Sequence, residues 1–526
     1  MLRTILAALM IASFASPPAR AQSNAKILRV VPYADLQSLD PIVTTVGIVQ
    51  SHAMLVYDFL FGRDENQMPQ PQMVESWTTS ADGLVWNFTL RAGLVFHDGA
   101  PVTSEDVVAS LKRWGARDPY GRQAFAATAE LTPESATRFL WRFTRPYGML
   151  LQGLSKSGGP VPAIMPKRIA ETDPAKAITD PIGSGPFIFV REAWVAGSKV
   201  VYRRNEAYLP RTEPASGTAG GKRAMVDRIE WLNIRDPQTA MLALSNGEVD
   251  YLENPSSDFL PMLRSAGFAI LRTNKLGTQG ILRMNHIHPP FNDVRARQAL
   301  LYLVDQDSYL RTMFGDPEIW KICYAYFVCG GPLENAAGVK PDFGKDPAKA
   351  KQLFADAGYK SEPIIILHPT DVQFMSAATQ VLAEALRGIG VKVEMQQMDF
   401  AAMAARRANR AAPGQGGWHI GMTYWPGLNI ADPVGNVPMQ ASCERAWPGW
   451  PCDAALQAMI DRYPAARSDP ERVALAKEIQ EAAYDRVVPY VPIGQWFAPI
   501  AHSPKLKGVI GVPGAMVLWN IEKAEK

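Results

Sequence analysis

Cysteine is scarce in this chain, with four residues in 526, and the first of them is Cys323. A lipid anchor built on a cysteine beside an N-terminal leader is therefore excluded. Long hydrophobic runs are also missing. The longest, Ile5 to Phe14, is well short of the roughly 20 apolar residues that span a bilayer, and no later segment reaches even that length. Neither sign of charge is in excess: 54 Lys and Arg stand against 51 Asp and Glu. Nucleic-acid binding rests on many phosphate contacts from a basic surface, which this balance does not supply. Histidine is rare at seven residues. There is no C-x-x-C pair for a four-thiolate zinc site, no G-x-S-x-G elbow and no H-E-x-x-H. The glycines of "GSGPF" (Gly183 to Phe187) lack the later Gly-Lys-Ser/Thr of a phosphate loop, so they are read as a tight hinge turn.

What the N-terminus does carry is Arg3, the apolar run, and the small-residue pattern Ala19, Arg20, Ala21. These read as a secretory signal over residues 1–21, cleaved to leave Gln22 first. Losing Arg3 and Arg20 leaves 52 basic against 51 acidic residues. Export implies an oxidising compartment, where nearby cysteines become disulfides. Of three connectivities, the local one is expected, Cys323 with Cys329 and Cys443 with Cys452.

With 47% hydrophobic and 20% charged residues, the composition is globular, and the length suggests several lobes. In "PIIILHPTDVQFMSAATQVLAEALRGIGVKVEMQQMDF" a buried strand at Ile364 to Leu367 is followed by apolar residues at helical spacing from Phe374 to Ile389. Gly390 stops the helix, and a second strand alternates from Val391. A second strand–helix–strand unit runs from Ile229 to Leu252, with Asp236 and Pro237 placed to open its helix. Two such crossovers far apart in sequence predict two α/β lobes and a cleft between them. Leu84 to Arg91 alternates like a half-buried antiparallel strand. Thr103 and Asp106 are spaced as a capping box for a helix lined by Val107, Val108, Leu111 and Trp114, and together these suggest an accessory domain.

Four blocks in order, "SADGLVWNFTLRAGLVFHDGAPVTSEDVVASLKR", "PIGSGPFIFVREAWVAGSKVVYRRNEAYLP", "VRARQALLYLVDQDSYL" and "DPAKAKQLFADAGY", resemble the peptide, nickel and opine class of extracellular solute-binding proteins that feed ABC importers. The resemblance covers essentially the whole mature chain. It implies an α/β, two-lobed periplasmic binding protein fold with a hinge and an extra domain inserted near the N-terminus. Lobe I is expected over 22–62, 183–281 and 498–526, the accessory domain over 63–182 and lobe II over 282–497. The implied function is a periplasmic receptor, without lipid anchor, that captures a small organic solute between the lobes, peptide-like or bearing an apolar or aromatic portion. Expected partners are that solute and the permease subunits of the inner membrane, with no nucleic acid, no cofactor, and a monomeric protein. A secreted hydrolase and a receptor for a nickel-type metal chelate are the alternatives.

Candidate ligand contacts follow from the rule that open α/β sheets bind at the carboxyl ends of strands. Trp418 to Tyr424 reads as a strand after a helix from Phe400 to Ala411, which places Tyr424 and Trp425 at such an end as flat apolar walls. Where peptide-binding members carry an Asp for the ligand amine, three residues after the matching tryptophan, this chain has Leu428. That departure argues against a preference for ordinary peptides with a free amino terminus. Asn429 and Asp432 follow in the same loop. Gln495 and Trp496 lie on the family's return strand, Glu253 and Asn254 follow another strand end, and Ser38 to Thr45 follows the first strand. His286 and His288 in "NHIHPPF" lack a third ligand nearby, so no metal site is expected, and no catalytic residue is assigned.

N-terminal sequencing of the exported protein should return Gln22, and a mature chain that retains Arg3 would overturn the leader assignment.

Overall fold

The computed structural model describes residues 25–466 and 468–524, so the expected leader lies outside the described residues. The chain opens with β1 (Ile27–Val31) and the buried helix α1 (Gly47–Val56). It then leaves the first sheet for an inserted unit, a four-stranded antiparallel sheet of β2 (Val74–Thr79), β3 (Val85–Leu90), β4 (Thr128–Pro133) and β5 (Arg138–Phe143) in the order β2-β3-β5-β4. Phe88 stacks on Phe139 across the central pair at 4.8 Å. Between β3 and β4 runs α2 (Ser104–Gly115). Its N-terminus is closed by the expected capping box, in which Thr103 accepts from the Asp106 amide and Asp106 accepts from the Thr103 amide. Val107, Val108, Leu111 and Trp114 are all buried on one side of that helix.

The chain returns through β6 (Phe187–Phe189), β7 (Lys199–Arg204) and β8 (Arg228–Leu232) to α3 (Pro237–Ser245), β9 (Tyr251–Glu253) and β10 (Ala269–Leu271). Asp236 caps α3 by accepting from the Thr239 amide at 2.7 Å, with Pro237 in the first turn. β1 lies between β8 and β9 and is parallel to both, so the α3 crossover passes over one strand. A second excursion builds the other lobe from β11 (Thr278–Met284), β12 (Trp320–Lys321), β13 (Ile364–Pro369), α4 (Gln373–Gly388), β14 (Val393–Met398), β15 (Ile420–Pro426) and β16 (Val491–Trp496). β13 is buried throughout and parallel to both β14 and β15, the environment that its continuous apolar run demands. Gly390, at φ +86°, follows α4 as read from the sequence. The chain then comes home to the first sheet as β17 (Ile500–His502). The strand orders are β6-β7-β8-β1-β9-β17-β10 and β12-β16-β11-β15-β13-β14.

The chain thus crosses between the sheets at 272–277 and again at 497–499. The first crossing lies a few residues before the expected boundary at 281, because β11 already pairs with β15 and β16 from Thr278 onward. Both crossings meet at one edge of each sheet. Glu253 and Leu271 both face Ile500, and Thr278 faces both Pro426 and Trp496. The carboxyl ends of β1, β8 and β9 on one side and of β13, β15 and β16 on the other therefore point toward the hinge.

Several local expectations change. The helix after β14 ends at Arg406 rather than Ala411, because Asn409 turns its carboxamide back to accept from the Ala411 amide at 2.9 Å. β15 continues to Pro426, so Tyr424 and Trp425 sit inside the strand. Gly183 and Gly185 make no left-handed turn. Their flatness lets the backbone lie on α1, where an added Cβ would meet the Val56 carbonyl at 2.1 Å and that of Leu55 at 2.6 Å. Both disulfides form as expected, Cys323 with Cys329 and Cys443 with Cys452, and no described cysteine is free.

The inserted unit is locked to the first lobe by a buried ion pair: Arg113 of α2 reaches Asp40 at 2.6 Å, with side-chain exposures of 1% and 0%. Asp40 also accepts from the amides of Ile42 and Ile178, so the stretch Ser38 to Thr45 carries an anchor for the insert. Asp40→Ala leaves a guanidinium buried without its anion and should lower unfolding free energy by about 3–5 kcal/mol in denaturant titration. Arg168→Ala, which breaks the exposed pair with Asp98, should cost less than about 1 kcal/mol. Equal effects from the two variants would refute the anchoring role.

Candidate functional site

A cavity of 470 Å³ lies on the first lobe at the carboxyl ends of β8, β1 and β9, the edge turned to the hinge. Its wall includes Tyr33 and Asp35 after β1, Arg235 after β8, Glu253 and Asn254 at the end of β9, and Phe259. Parallel strands end here together, and the first turn of α3 stands over them, so loops of different origin converge as they do in open α/β sheets.

The polar groups of the cavity are unequally occupied. Asp35 accepts from the Gly197 amide at 2.9 Å. Tyr33 accepts at its hydroxyl from the Ile48 amide at 3.2 Å, at the start of α1. Burial of that hydroxyl, then the neighbouring Glu253 carboxyl, push the Tyr33 phenol up to about 12, and Tyr424 of the second lobe adds to the effect. Glu253 accepts a single hydrogen bond, from the Tyr33 amide at 3.1 Å. Burial with so little compensation raises its carboxyl from 4.5 to about 7. Arg235, exposed in the cavity wall, makes no hydrogen bond or ion pair among the described residues. Asn254 adopts φ +54°, a left-handed conformation that asparagine tolerates well, and its amide donates to the Pro499 carbonyl at 3.1 Å. It therefore ties the rim of the cavity to the second crossing.

On the second lobe the two neighbouring aromatics point to opposite faces of the sheet, as alternation along a strand requires. Tyr424 is 38% exposed and joins a cluster with Phe374 at 5.5 Å, Trp496 at 6.1 Å and Phe400 at 6.4 Å. Gly280 of β11, paired with Tyr424, makes room for side chains of β16: an added Cβ there would meet Ile493 at 2.6 Å and the Trp496 ring at 3.1 Å. Trp425, on the other face, packs edge-on against Trp447 and against the small cluster of Leu276, Val328, Leu428, Ile430 and Ala431.

The remaining candidates make structural contacts. Leu428 is 6% exposed and packs against the backbone of Gly158 and Gly514, at the meeting of the insert, the C-terminal segment and the second lobe. The Asn429 carboxamide also lies against Gly158. Asp432 accepts from the Val434 and Gly435 amides with one oxygen and from the Tyr120 hydroxyl of the insert with the other. Gln495 is fully buried and donates to the carbonyls of Leu276 at 2.7 Å and Cys329 at 3.0 Å, which clamps the first crossing. Trp496 is nearly buried beneath Phe314 and Phe374.

His286 and His288 do not converge. His286 is pushed well below the ordinary histidine range by burial and by Arg297 and Arg283, whereas His288 bonds to the Arg410 carbonyl at 2.9 Å. Among the described residues no group of three His, Cys, Asp or Glu could hold a metal ion. Sequence reasoning did not single out Tyr33 or Arg235. Each sits just past a strand end, but nothing local showed that β8, β1 and β9 finish at one cavity.

A family model described as bacterial extracellular solute-binding proteins, family 5 middle, matches residues 68–447. The probable peptide ABC transporter periplasmic-binding protein y4tO of Sinorhizobium fredii is 39% identical over 497 residues, which cover 93% of this chain and 92% of that protein. Among solved structures, the dipeptide binding protein from Pseudoalteromonas sp. SM9913 in complex with Met-Leu matches with a TM-score of 0.76 at 19% identity, over 95% of this chain and 100% of that one. NikZ from Campylobacter jejuni in complex with Ni(L-His) matches with a TM-score of 0.75 at 19% identity, over 94% and 96%. At those identities the structural likeness is one of fold.

Glu253 imposes a pH dependence whose sign is fixed. Between 4.5 and about 7 the folded protein holds a proton that the unfolded chain releases, so this group's burden on stability grows as pH rises through that window and is complete above it. Glu253→Gln should therefore gain about 1–3 kcal/mol over the parent at pH 8 and nothing at pH 4, read from denaturant midpoints. A difference independent of pH would show that the carboxyl is solvated.

Proposed function

The chain belongs to the bacterial extracellular solute-binding proteins of family 5, and on that premise we propose that it traps a small organic solute between the lobe I cavity and the Tyr424 cluster. The protein is a solute-binding receptor of an ABC importer, of the periplasmic binding-protein type. Its family is one of binding proteins, and no helix among the described residues is long and apolar enough to cross a membrane. The finer reading is a monomer released by cleavage after Ala21, without a lipid anchor, that hands its solute to the permease subunits. Its lobes are 22–62, 183–277 and 498–526 against 278–497, with 63–182 inserted.

One observation carries the capture reading. The chain passes between the two sheets at 272–277 and 497–499, and the carboxyl edge of each sheet is turned to those crossings. A solute held there touches both lobes only when they are closed, so its extra contacts shift the population toward the closed form. Tyr424 offers an apolar, exposed ring to a peptide-like or aromatic-bearing portion, while Tyr33 and Glu253 offer polar atoms opposite. The relative y4tO, described as a probable peptide transporter component, and the dipeptide-bound neighbour support a solute of peptide-like size.

Native mass spectrometry of protein purified without refolding should reveal the retained solute. Adding that solute back to stripped protein should lower the radius of gyration in solution scattering. A saturated complex with an unchanged scattering curve would refute capture by closure.

A further inference from the structure

We propose that lobe I reads both charged ends of a compact zwitterion, Glu253 taking its ammonium group and Arg235 its carboxylate. The assignment rests on the capture reading above and names the class of solute.

Charge accounting in the cavity leads to it. Asp35 already serves the Gly197 amide, and Asp236, at the start of α3, is occupied with the Thr239 amide and hydroxyl. The Tyr33 hydroxyl already accepts from the Ile48 amide. Glu253 has one oxygen on the Tyr33 amide and no partner for the other, and the Arg235 guanidinium has none at all among the described residues. The two do not pair with each other. Both line the same cavity, Glu253 at the end of β9 and Arg235 in the loop that follows β8, and its 470 Å³ volume accommodates a molecule of amino-acid to dipeptide size.

A half-buried carboxylate with one protein hydrogen bond is costly to ionise, and an ammonium group arriving beside it in the cavity removes that cost. The titratable and charged groups lining this cavity are Tyr33, Asp35 and Arg235, and none of them forms an ion pair with Glu253.

The test is calorimetric titration of the mature, solute-stripped protein with the dipeptide Met-Leu, its N-acetyl form and its C-terminal amide. The zwitterion should bind, and each blocked form should bind about 100-fold more weakly or worse. Binding at pH 7 should release protons, seen as an enthalpy that varies with the ionisation heat of the buffer. Glu253→Gln should erase the penalty for N-acetylation and keep that for amidation, and Arg235→Gln should do the reverse. Glu253→Asp should restore part of the amine preference, which separates recognition from loss of fold. N-acetyl peptide binding as tightly as the free dipeptide would overturn the assignment, as would an unchanged penalty in Glu253→Gln. If no probe binds while the protein still retains its own solute, the zwitterion is overturned and the receptor reading stands. If Met-Leu binds as described without shrinking the protein in scattering, capture by closure fails and the charge assignment survives.

Discussion

The structure depends on how closely two stretches of backbone pass each other where the chain moves between its sheets. Gly277, at φ +53°, lies so near the returning strand that a Cβ would meet the Trp496 carbonyl at 2.4 Å. The Gly427 amide donates to the Gly277 carbonyl at 2.8 Å, and the buried Gln495 amide holds the Leu276 carbonyl from the other side. With both crossings pinned there, the carboxyl ends of the parallel strands in each lobe face one place. Every group discussed as a ligand contact inherits its position from that constraint.

The inserted domain adds a second bond between the lobes. It is anchored to the first by Arg113 with Asp40 and meets the second through the Tyr120 hydroxyl on Asp432. Nearby, the Gly148 amide donates to the Pro464 carbonyl at 2.6 Å and Arg472 donates to the Gly148 carbonyl at 3.0 Å. Apolar residues of the insert and of the second lobe belong to one continuous core, so the insert is packed structure as well as a spacer. A buried pair such as Arg113 and Asp40 adds less to stability than it would cost to break, which favours one docking geometry over many.

Arg283, buried in the second lobe, spends its guanidinium on the carbonyls of Pro438, Trp447, Pro448 and Pro489. In the lobe I cavity, at a strand edge turned toward the hinge, Glu253 keeps one carboxylate oxygen and Arg235 its guanidinium without a protein partner among the described residues. A binding protein needs such groups, because affinity comes from bonds that only the solute completes.

Sequence determined what depends on near neighbours. The crossover around α4 follows from a buried run, a helical stripe and Gly390. The capping box at Thr103 and the Asp236 cap follow from residues three apart, and the disulfides join cysteines six and nine apart. The order of the four blocks gave the family and, with it, the lobes. The jobs of individual polar and aromatic side chains were decided by tertiary structure. The Gln495 amide meets Leu276, 219 residues away, and Asp432 meets Tyr120 at a separation of 312. Tyr424 and Trp425, adjacent in the chain, part to opposite faces of a sheet whose other strands come from distant segments. Periodicity reports which face is buried, a local property of the backbone. The partner of a carboxylate or an amide is set by which distant strand ends beside it, and only the folded chain brings Tyr33, Arg235 and Glu253 to one cavity.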